Sequence, residues 1–300
     1  MTNPILVTGA AGAVGYAVCN YLLERGVKVR GMVRATDQRS DELATRGAEI
    51  VVGDLLDLHA AHRAIEGCDR IYFGMSVSPT YLEAAVNIAA VARHHKVSAF
   101  VNISQMTVSQ MSITSTTDSP QQKLHWLAEQ ALNWSGLPVV HVRPTAFLDT
   151  FFLRLSMQSI REHQQIRLPF GDGKISPIAS DDVARVIATV LQAPDDHIGK
   201  VYELTGARSQ DMTDIAGAFS TALGKTISYV NVPFEPWRKG LENSGMVTPH
   251  ILAHLATMAL LIAENRYDRM TSDVERITGK PPLSVGEFVL RHAQAYSPQP

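Results

Sequence analysis

Residues 8–15 read Thr8-Gly9-Ala10-Ala11-Gly12-Ala13-Val14-Gly15 and lie between a short apolar run, Ile5-Leu6-Val7-Thr8, and an apolar helical stretch from about Ala13 to Glu24. A glycine triplet at that junction constrains the chain strongly. Gly9 permits the tight turn, Gly12 lets backbone approach a pyrophosphate with no Cβ in the way, and Gly15 allows the helix to pack closely on its strand. The helix start beyond it offers unpaired N–H groups and a partial positive charge, which together hold an anion. A Gly-Lys-Ser/Thr ending is missing, so a triphosphate-cradling P-loop is disfavoured. Small residues that merely pack a strand–helix junction are the bland alternative, and the surrounding βαβ pattern weighs against it.

That pattern runs through the first half of the chain. Val27 to Val33, Glu49 to Val52, Arg70 to Gly74, Ala99 to Ser104 and Pro138 to Arg143 read as further strands, alternating with helical periodicity. Asp54 or Asp57 is placed to cap the helix after the third strand. Ser78-Pro79 reads as N-cap and first helical residue of the next. Gln105 to Pro120, rich in Ser and Thr, reads as a surface loop near the site. A helix from about Gln121 to Trp134 follows, another begins near Ser180, and Val201 to Leu204 returns as one more strand. The predicted fold is α/β: a doubly wound parallel sheet with a smaller, mostly helical lobe. Residues 1–144 plus 181–205 are expected to form the dinucleotide-binding domain, and 145–180 plus 206–300 the lobe for substrate or partner. Within the lobe, Thr248-Pro249 opens a buried apolar helix and Ser284-Val285-Gly286-Glu287 forms a capping box.

Composition narrows the partners. With 27 Lys+Arg against 29 Asp+Glu in 300 residues, the chain carries no basic footprint for nucleic acid. Its longest apolar stretch, Ile251 to Ala263, is too short for a bilayer, which needs about 20 residues. The two cysteines, Cys19 and Cys68, have no metal or disulfide spacing. The beginning of the sequence lacks a secretory pattern, and a cytoplasmic location is expected.

The second strand meets the adenosine ribose at its tip, where a carboxylate would repel a 2′-phosphate. Here the tip reads Met32-Val33-Arg34, and Arg34 offers a planar fork suited to phosphate, so NADP(H) is preferred over NAD(H). Arg34 is alternatively a solvated charge, with Lys28, Arg30 and Arg39 nearby. Asp54 either caps its helix only or also accepts from the adenine amino group.

Along nearly its whole length the chain resembles the NmrA-like family of atypical short-chain dehydrogenases/reductases. The resemblance rests on the glycine turn, Val29-Arg30-Gly31-Met32-Val33-Arg34, Gly53-Asp54-Leu55, Gly136-Leu137-Pro138 with Arg143-Pro144, Asp182-Val183-Ala184, Thr278-Gly279-Lys280-Pro281-Pro282, and Glu287-Phe288. It implies a Rossmann fold with NADP(H) lying across the strand ends and a cleft under the helical lobe. Candidate cofactor-binding residues are then Gly9, Ala11, Gly12, Ala13, Val14, Gly15, Arg34, Asp54, Leu55, Gly74, Ser104, His125 and Pro144. Ser104 contacts cofactor or substrate, or it simply closes the fifth strand.

Reductases of the wider superfamily use a Tyr followed four residues later by a Lys. Alignment through Glu129 and Gly136 puts Gln121 at the Tyr position and His125 at the Lys position, so the proton-donating pair is missing. Gln121 and His125 are the catalytic candidates in its place. His125 either bonds ribose or delivers a proton, or it is a satisfied structural histidine. Trp126, Phe147, Phe151, Phe152, Phe170 and Trp237 line a pocket for a flat ligand on one reading and pack the core on the other. No metal site is expected: His59 and His62 share a helix without a third ligand, and His94 and His95 suit a helix C-terminus. The leading expectation is an NADP(H)-dependent oxidoreductase that passes hydride directly to a planar quinone- or dye-like acceptor, a small aromatic substrate. Its rival is a non-catalytic NADP(H)-binding sensor acting through a protein partner.

Overall fold

In the computed structural model, which describes residues 3–297, the elements follow the predicted alternation. They are β1 (Ile5–Thr8), α1 (Ala13–Glu24), β2 (Val29–Val33), α2 (Gln38–Thr45), β3 (Glu49–Val52), α3 (Leu58–Ile65), β4 (Arg70–Phe73), α4 (Tyr81–His94), β5 (Ala99–Ile103), α5 (Pro120–Trp134), β6 (Val139–Pro144), α6 (Met157–His163), β7 (Gln165–Leu168), α7 (Ser180–Gln192) and β8 (Val201–Leu204). The C-terminal part adds α8 (Met212–Leu223), β9 (Ser228–Asn231), α9 (Phe234–Asn243), α10 (Pro249–Ala263), α11 (Asp273–Thr278) and α12 (Val285–Arg291).

Seven strands form one sheet in the order β3-β2-β1-β4-β5-β6-β8. The pairs from β3 through β6 are parallel, with Thr8 opposite Met32, Val33 opposite Val52, Phe73 opposite Asn102 and Ile103 opposite Val142. The carboxyl ends of these strands therefore share one edge. Strand order reverses between β1 and β4, and open α/β sheets bind ligands at such a switch point, outside the carboxyl ends. The glycine turn follows β1 directly at that place.

Burial of apolar strands between helices holds the sheet. Ile5, Leu6 and Val7 are fully buried, as are Ile71, Phe73, Phe100 and Val101. On one side Ala60, Ala61, Ala64 and Ile65 of α3 pack with Ala84, Ala85, Ile88 and Ala92 of α4, small side chains that let the two helices approach closely.

Among the described residues the chain divides into two compact units. One comprises residues 3–111, Gln121–Arg143 and Val183–Glu203; the other comprises Ser112–Pro120, Pro144–Asp182 and residues 204–297. The second unit is helical but also contains a two-stranded parallel sheet, β7 with β9, which the fading alternation in the sequence did not reveal. Its core sets Phe151 edge-on to Phe170 and tilts Phe152 against Phe219, with ring centroids 5.2 Å apart in each pair. The apolar stretch in α10 is the expected buried helix, with Thr248 accepting from the Ile251 N–H. The capping box at Ser284 and Glu287 forms with both bonds present.

Two local expectations are corrected. The helix after β4 starts at Tyr81 with Thr80 as its N-cap residue, because Ser78 closes a turn: its carbonyl accepts from the Tyr81 N–H at 3.2 Å. The Ser/Thr-rich stretch after β5 is partly interior, with a 3-10 turn at Met106–Gln110 that buries Met106, Thr107 and Val108. Of the two readings left open for the aromatic residues, core packing holds for Phe151, Phe152 and Phe170, which are at most 1% exposed. No helix of the described residues is long and apolar enough to cross a membrane.

Candidate functional site

The turn after β1 is shaped by steric exclusion. Gly9 has φ +60°, and a Cβ there would lie 2.8 Å from the Gly74 carbonyl oxygen. A Cβ on Gly15 would overlap the Gly9 carbonyl oxygen, so the first turn of α1 can close on the loop only with glycine at that position. The Thr8 hydroxyl locks the switch point: it donates to the Gly74 carbonyl and accepts from the Gly74 N–H, each at 2.9 Å, tying the ends of β1 and β4. The Ala10 N–H bonds the Met32 carbonyl at 3.2 Å, which ties the loop to β2.

Beyond this loop α1 begins at an N-cap glycine, Gly12, with no side-chain cap and no acid in its first turn. Gly12 is exposed, and Ala13 and Val14 are half-buried. Most helices satisfy these first N–H groups with a Ser, Thr, Asp or Asn side chain. Here they face outward with their partial positive charge, beside glycines that leave no side chain in the way. This is a cradle for an anion, and it fits the diphosphate of a dinucleotide.

At the neighbouring strand ends, Arg34 follows β2 and is exposed. Of the three cations weighed beside it, Arg30 is committed elsewhere. Its Nε pairs with Glu49 at 2.8 Å, and its Nη1 donates to the Ala64 and Glu66 carbonyls. Lys28 precedes β2 and so lies at the opposite strand end; its carbonyl accepts from Ile5. Arg39 is brought in by α2: its guanidinium donates to the Ala11 carbonyl at 3.2 Å and lies 5.6 Å above the Tyr16 ring. Arg34 and Arg39 are thus the cations beside the glycine turn. The nearest carboxylate in sequence, Asp37, caps α2 in a reciprocal box with Ser40, its Oδ1 accepting from the Ser40 N–H at 2.9 Å.

Asp54 and Leu55 follow β3. Asp57 is the N-cap of α3, accepting from the His59 N–H, whereas Asp54 accepts from the Leu56 N–H at 2.9 Å through Oδ1 only. Ser104 follows β5; its N–H bonds the Val142 carbonyl at 2.7 Å, and its buried hydroxyl has no hydrogen-bond partner among the described residues. The Thr107 hydroxyl, which the sequence did not single out, is buried and unsatisfied in the same way. Buried hydroxyls are rarely left so, and these two are fitting contacts for a bound polar group. Pro144 closes β6.

The two residues of α5 separate in role. His125 is half-buried, with its ring centroid 4.1 Å from that of Tyr81. The Tyr81 hydroxyl donates to the Ile103 carbonyl at 2.9 Å, and burial pushes its ionisation well above the ordinary tyrosine value, so it is a rigid platform and no acid at neutral pH. Gln121 is fully buried, and its Oε1 accepts from the Ser78 N–H at 3.1 Å. It anchors the segment between β4 and α4 from behind. One turn beyond His125, Glu129, 1% exposed, holds Arg143 by two bonds of 2.9 and 2.6 Å, which fixes α5 to β6.

The NmrA-like family model matches residues 1–287. An NAD(P)H azoreductase of Xenophilus azovorans is 29% identical over 295 residues, covering 97% of this chain and 99% of that protein. Among solved structures, an NADPH-dependent quinone oxidoreductase of Escherichia coli in complex with NADPH superposes with a TM-score of 0.81 at 22% identity, covering 97% of this chain and 99% of the other. A triphenylmethane reductase of Citrobacter sp. complexed with NADP(H) gives the same TM-score, identity and coverage.

Proposed function

This chain belongs to the NmrA-like family, and from that premise we propose that it is an NADPH-dependent reductase of planar, conjugated electron acceptors such as quinones and azo or related dyes. The observation that carries the reading is the uncapped start of α1 behind the Gly9–Gly15 turn, set at the switch point of the sheet. The azoreductase similarity over 97% of the chain supports the acceptor class.

A bound reduced nicotinamide supplies the hydride. The α1 N–H groups hold the diphosphate, Arg34 and Arg39 take the 2′-phosphate, and Asp54 has a carboxylate oxygen to spare for the adenine amino group. The Ser104 and Thr107 hydroxyls hold the polar groups of the nicotinamide half. An acceptor of this kind spreads the incoming negative charge over its conjugated system, so no strong acid is needed at the moment of transfer. That agrees with a buried amide at Gln121 where classical members place tyrosine. The reduced product still takes up a proton, and we assign its delivery to His125, the imidazole of α5 that lies against Tyr81.

The test is steady-state loss of reduced-nicotinamide absorbance against a panel of quinones and azo dyes. Acceptor-dependent oxidation that disappears in Gly12→Val supports the proposal. Tight NADPH binding without acceptor-dependent oxidation overturns it in favour of a cofactor-sensing role.

A further inference from the structure

The helices α3 and α4 end side by side, and their last turns bring together three imidazoles. His62 comes from α3; His94 is the last residue of α4 and His95 its C-cap. One ligand atom from each lies within 4.8 Å of the others. The closest pair, His62 Nδ1 and His95 Nε2, is 2.9 Å apart, with the two rings stacked at 4.9 Å between centroids. His94 stands edge-on to His95 at 5.1 Å. His62 and His94 are exposed and His95 is half-buried, so the cluster is open to solvent. The sequence placed His62 with His59 on one helix; the fold instead pairs it with the end of the next helix, and His59 takes no part.

We propose that His62, His94 and His95 form a binding site for a divalent transition-metal ion of the zinc class. Ring nitrogens bind such ions at about 2.0–2.1 Å, so two ligands of a tetrahedral site sit about 3.3 Å apart. The 2.9 Å pair is already near that spacing, and small torsions of exposed side chains bring in the third nitrogen. Three protein nitrogens leave one position for water. Imidazole suits zinc, copper and nickel over magnesium or calcium, which prefer oxygen. Glu66, the C-cap of α3 and one turn beyond His62, adds a negative charge that favours a cation. The supports are rigid, because the alanine-rich faces of α3 and α4 are packed in one core. An ion here would cross-link the two helices and stabilise the folded chain.

Zinc titration of the full-length, chelator-treated protein by calorimetry tests this, with cobalt absorbance as a second readout of nitrogen ligation. Expected are one equivalent bound, a rise in Tm with zinc, and visible cobalt bands. His62→Ala, His94→Ala and His95→Ala should each weaken zinc by at least the 10–100-fold that loss of an outer-shell partner costs, with His59→Ala unchanged. Absence of stoichiometric binding, or equal binding in all four variants, overturns the proposal. NADPH affinity measured on the same variants should stay as in the unsubstituted protein, so the outcome is independent of the proposed reductase activity.

Discussion

The carboxylate of Asp182 accepts a hydrogen bond from the backbone N–H of Leu283 at 2.8 Å, joining the first turn of α7 to the loop that leads from α11 into α12. Asp182 is 2% exposed. Asp182-Val183-Ala184 and Thr278-Gly279-Lys280-Pro281-Pro282 lie about a hundred residues apart in sequence, yet this bond connects the first to the residue that directly follows the second. A loop with two prolines has few N–H groups to offer, and Leu283 provides the next one after them.

Removing that acceptor should be costly. Asp182→Ala leaves the Leu283 N–H without its carboxylate, and a loss of about 1–3 kcal/mol is expected in urea unfolding. Asp182→Asn keeps an oxygen acceptor and should lose less. Equal stability of the alanine variant and the parent would remove the bond from any structural role.

The Ser119 hydroxyl and the His254 Nδ1 are 2.9 Å apart inside the second unit. Burial lowers the His254 pKa to about 4, against about 6.5 in the unfolded chain. Between those values the unfolded state binds the extra proton, so stability rises with pH there. The contribution is complete above about pH 6.5 and is lost as pH falls towards 4, to a limit of about 3 kcal/mol. His254→Gln, which cannot titrate, should flatten the stability profile over this window in denaturant melts; an unchanged slope would contradict the assignment.

Arg34→Ala and Arg39→Ala should each weaken NADPH about tenfold or more, as loss of a charge-assisted bond to phosphate does, with a much smaller effect on NADH. Calorimetric titration with both nucleotides checks this. Equal losses for the two cofactors would place neither arginine at the 2′-phosphate.

Gly15→Ala forces a methyl group onto the Gly9 carbonyl. Overpacking of that kind costs about 1–3 kcal/mol, and the turn must open, so nucleotide binding should be lost with it. Gly217→Ala in α8, where nothing lies within 4 Å of the added Cβ, should instead raise stability by about 0.5–1 kcal/mol. Thermal melts of the two variants should move in opposite directions.

Both thiols should be inert in the folded protein. Burial pushes Cys19 up to about 12 and Cys68 up to about 11, so neither is a thiolate at neutral pH. A chromogenic disulfide reagent should titrate none before denaturation and two afterwards. Rapid reaction in buffer would mean that one of them opens to solvent.

Much of the fold was readable because its signals are local. A strand, a glycine turn and an apolar helix are specified by residues within a few positions of one another, as are the caps at Asp57, Thr248 and Ser284. The same locality explains what was misread or left open. Ser78-Pro79 has the composition of a helix start, but Ser78 is held in a turn by Gln121, 43 residues away. The aromatic residues after β6 have the same composition whether they line a pocket or fill a core, and only their packing partners, Phe170 and Phe219, decide it.

From its sequence alone this protein was committed to a doubly wound sheet opening on a glycine cradle, since backbone sterics and side-chain period act over single turns and strands. Tertiary structure decided which distant groups became neighbours: Arg39 at the Ala11 carbonyl, Gln121 behind Ser78, and His62 beside His95. Strand order and helix packing set those meetings. They arise from burial of apolar faces summed over the whole chain, which no short stretch of residues encodes.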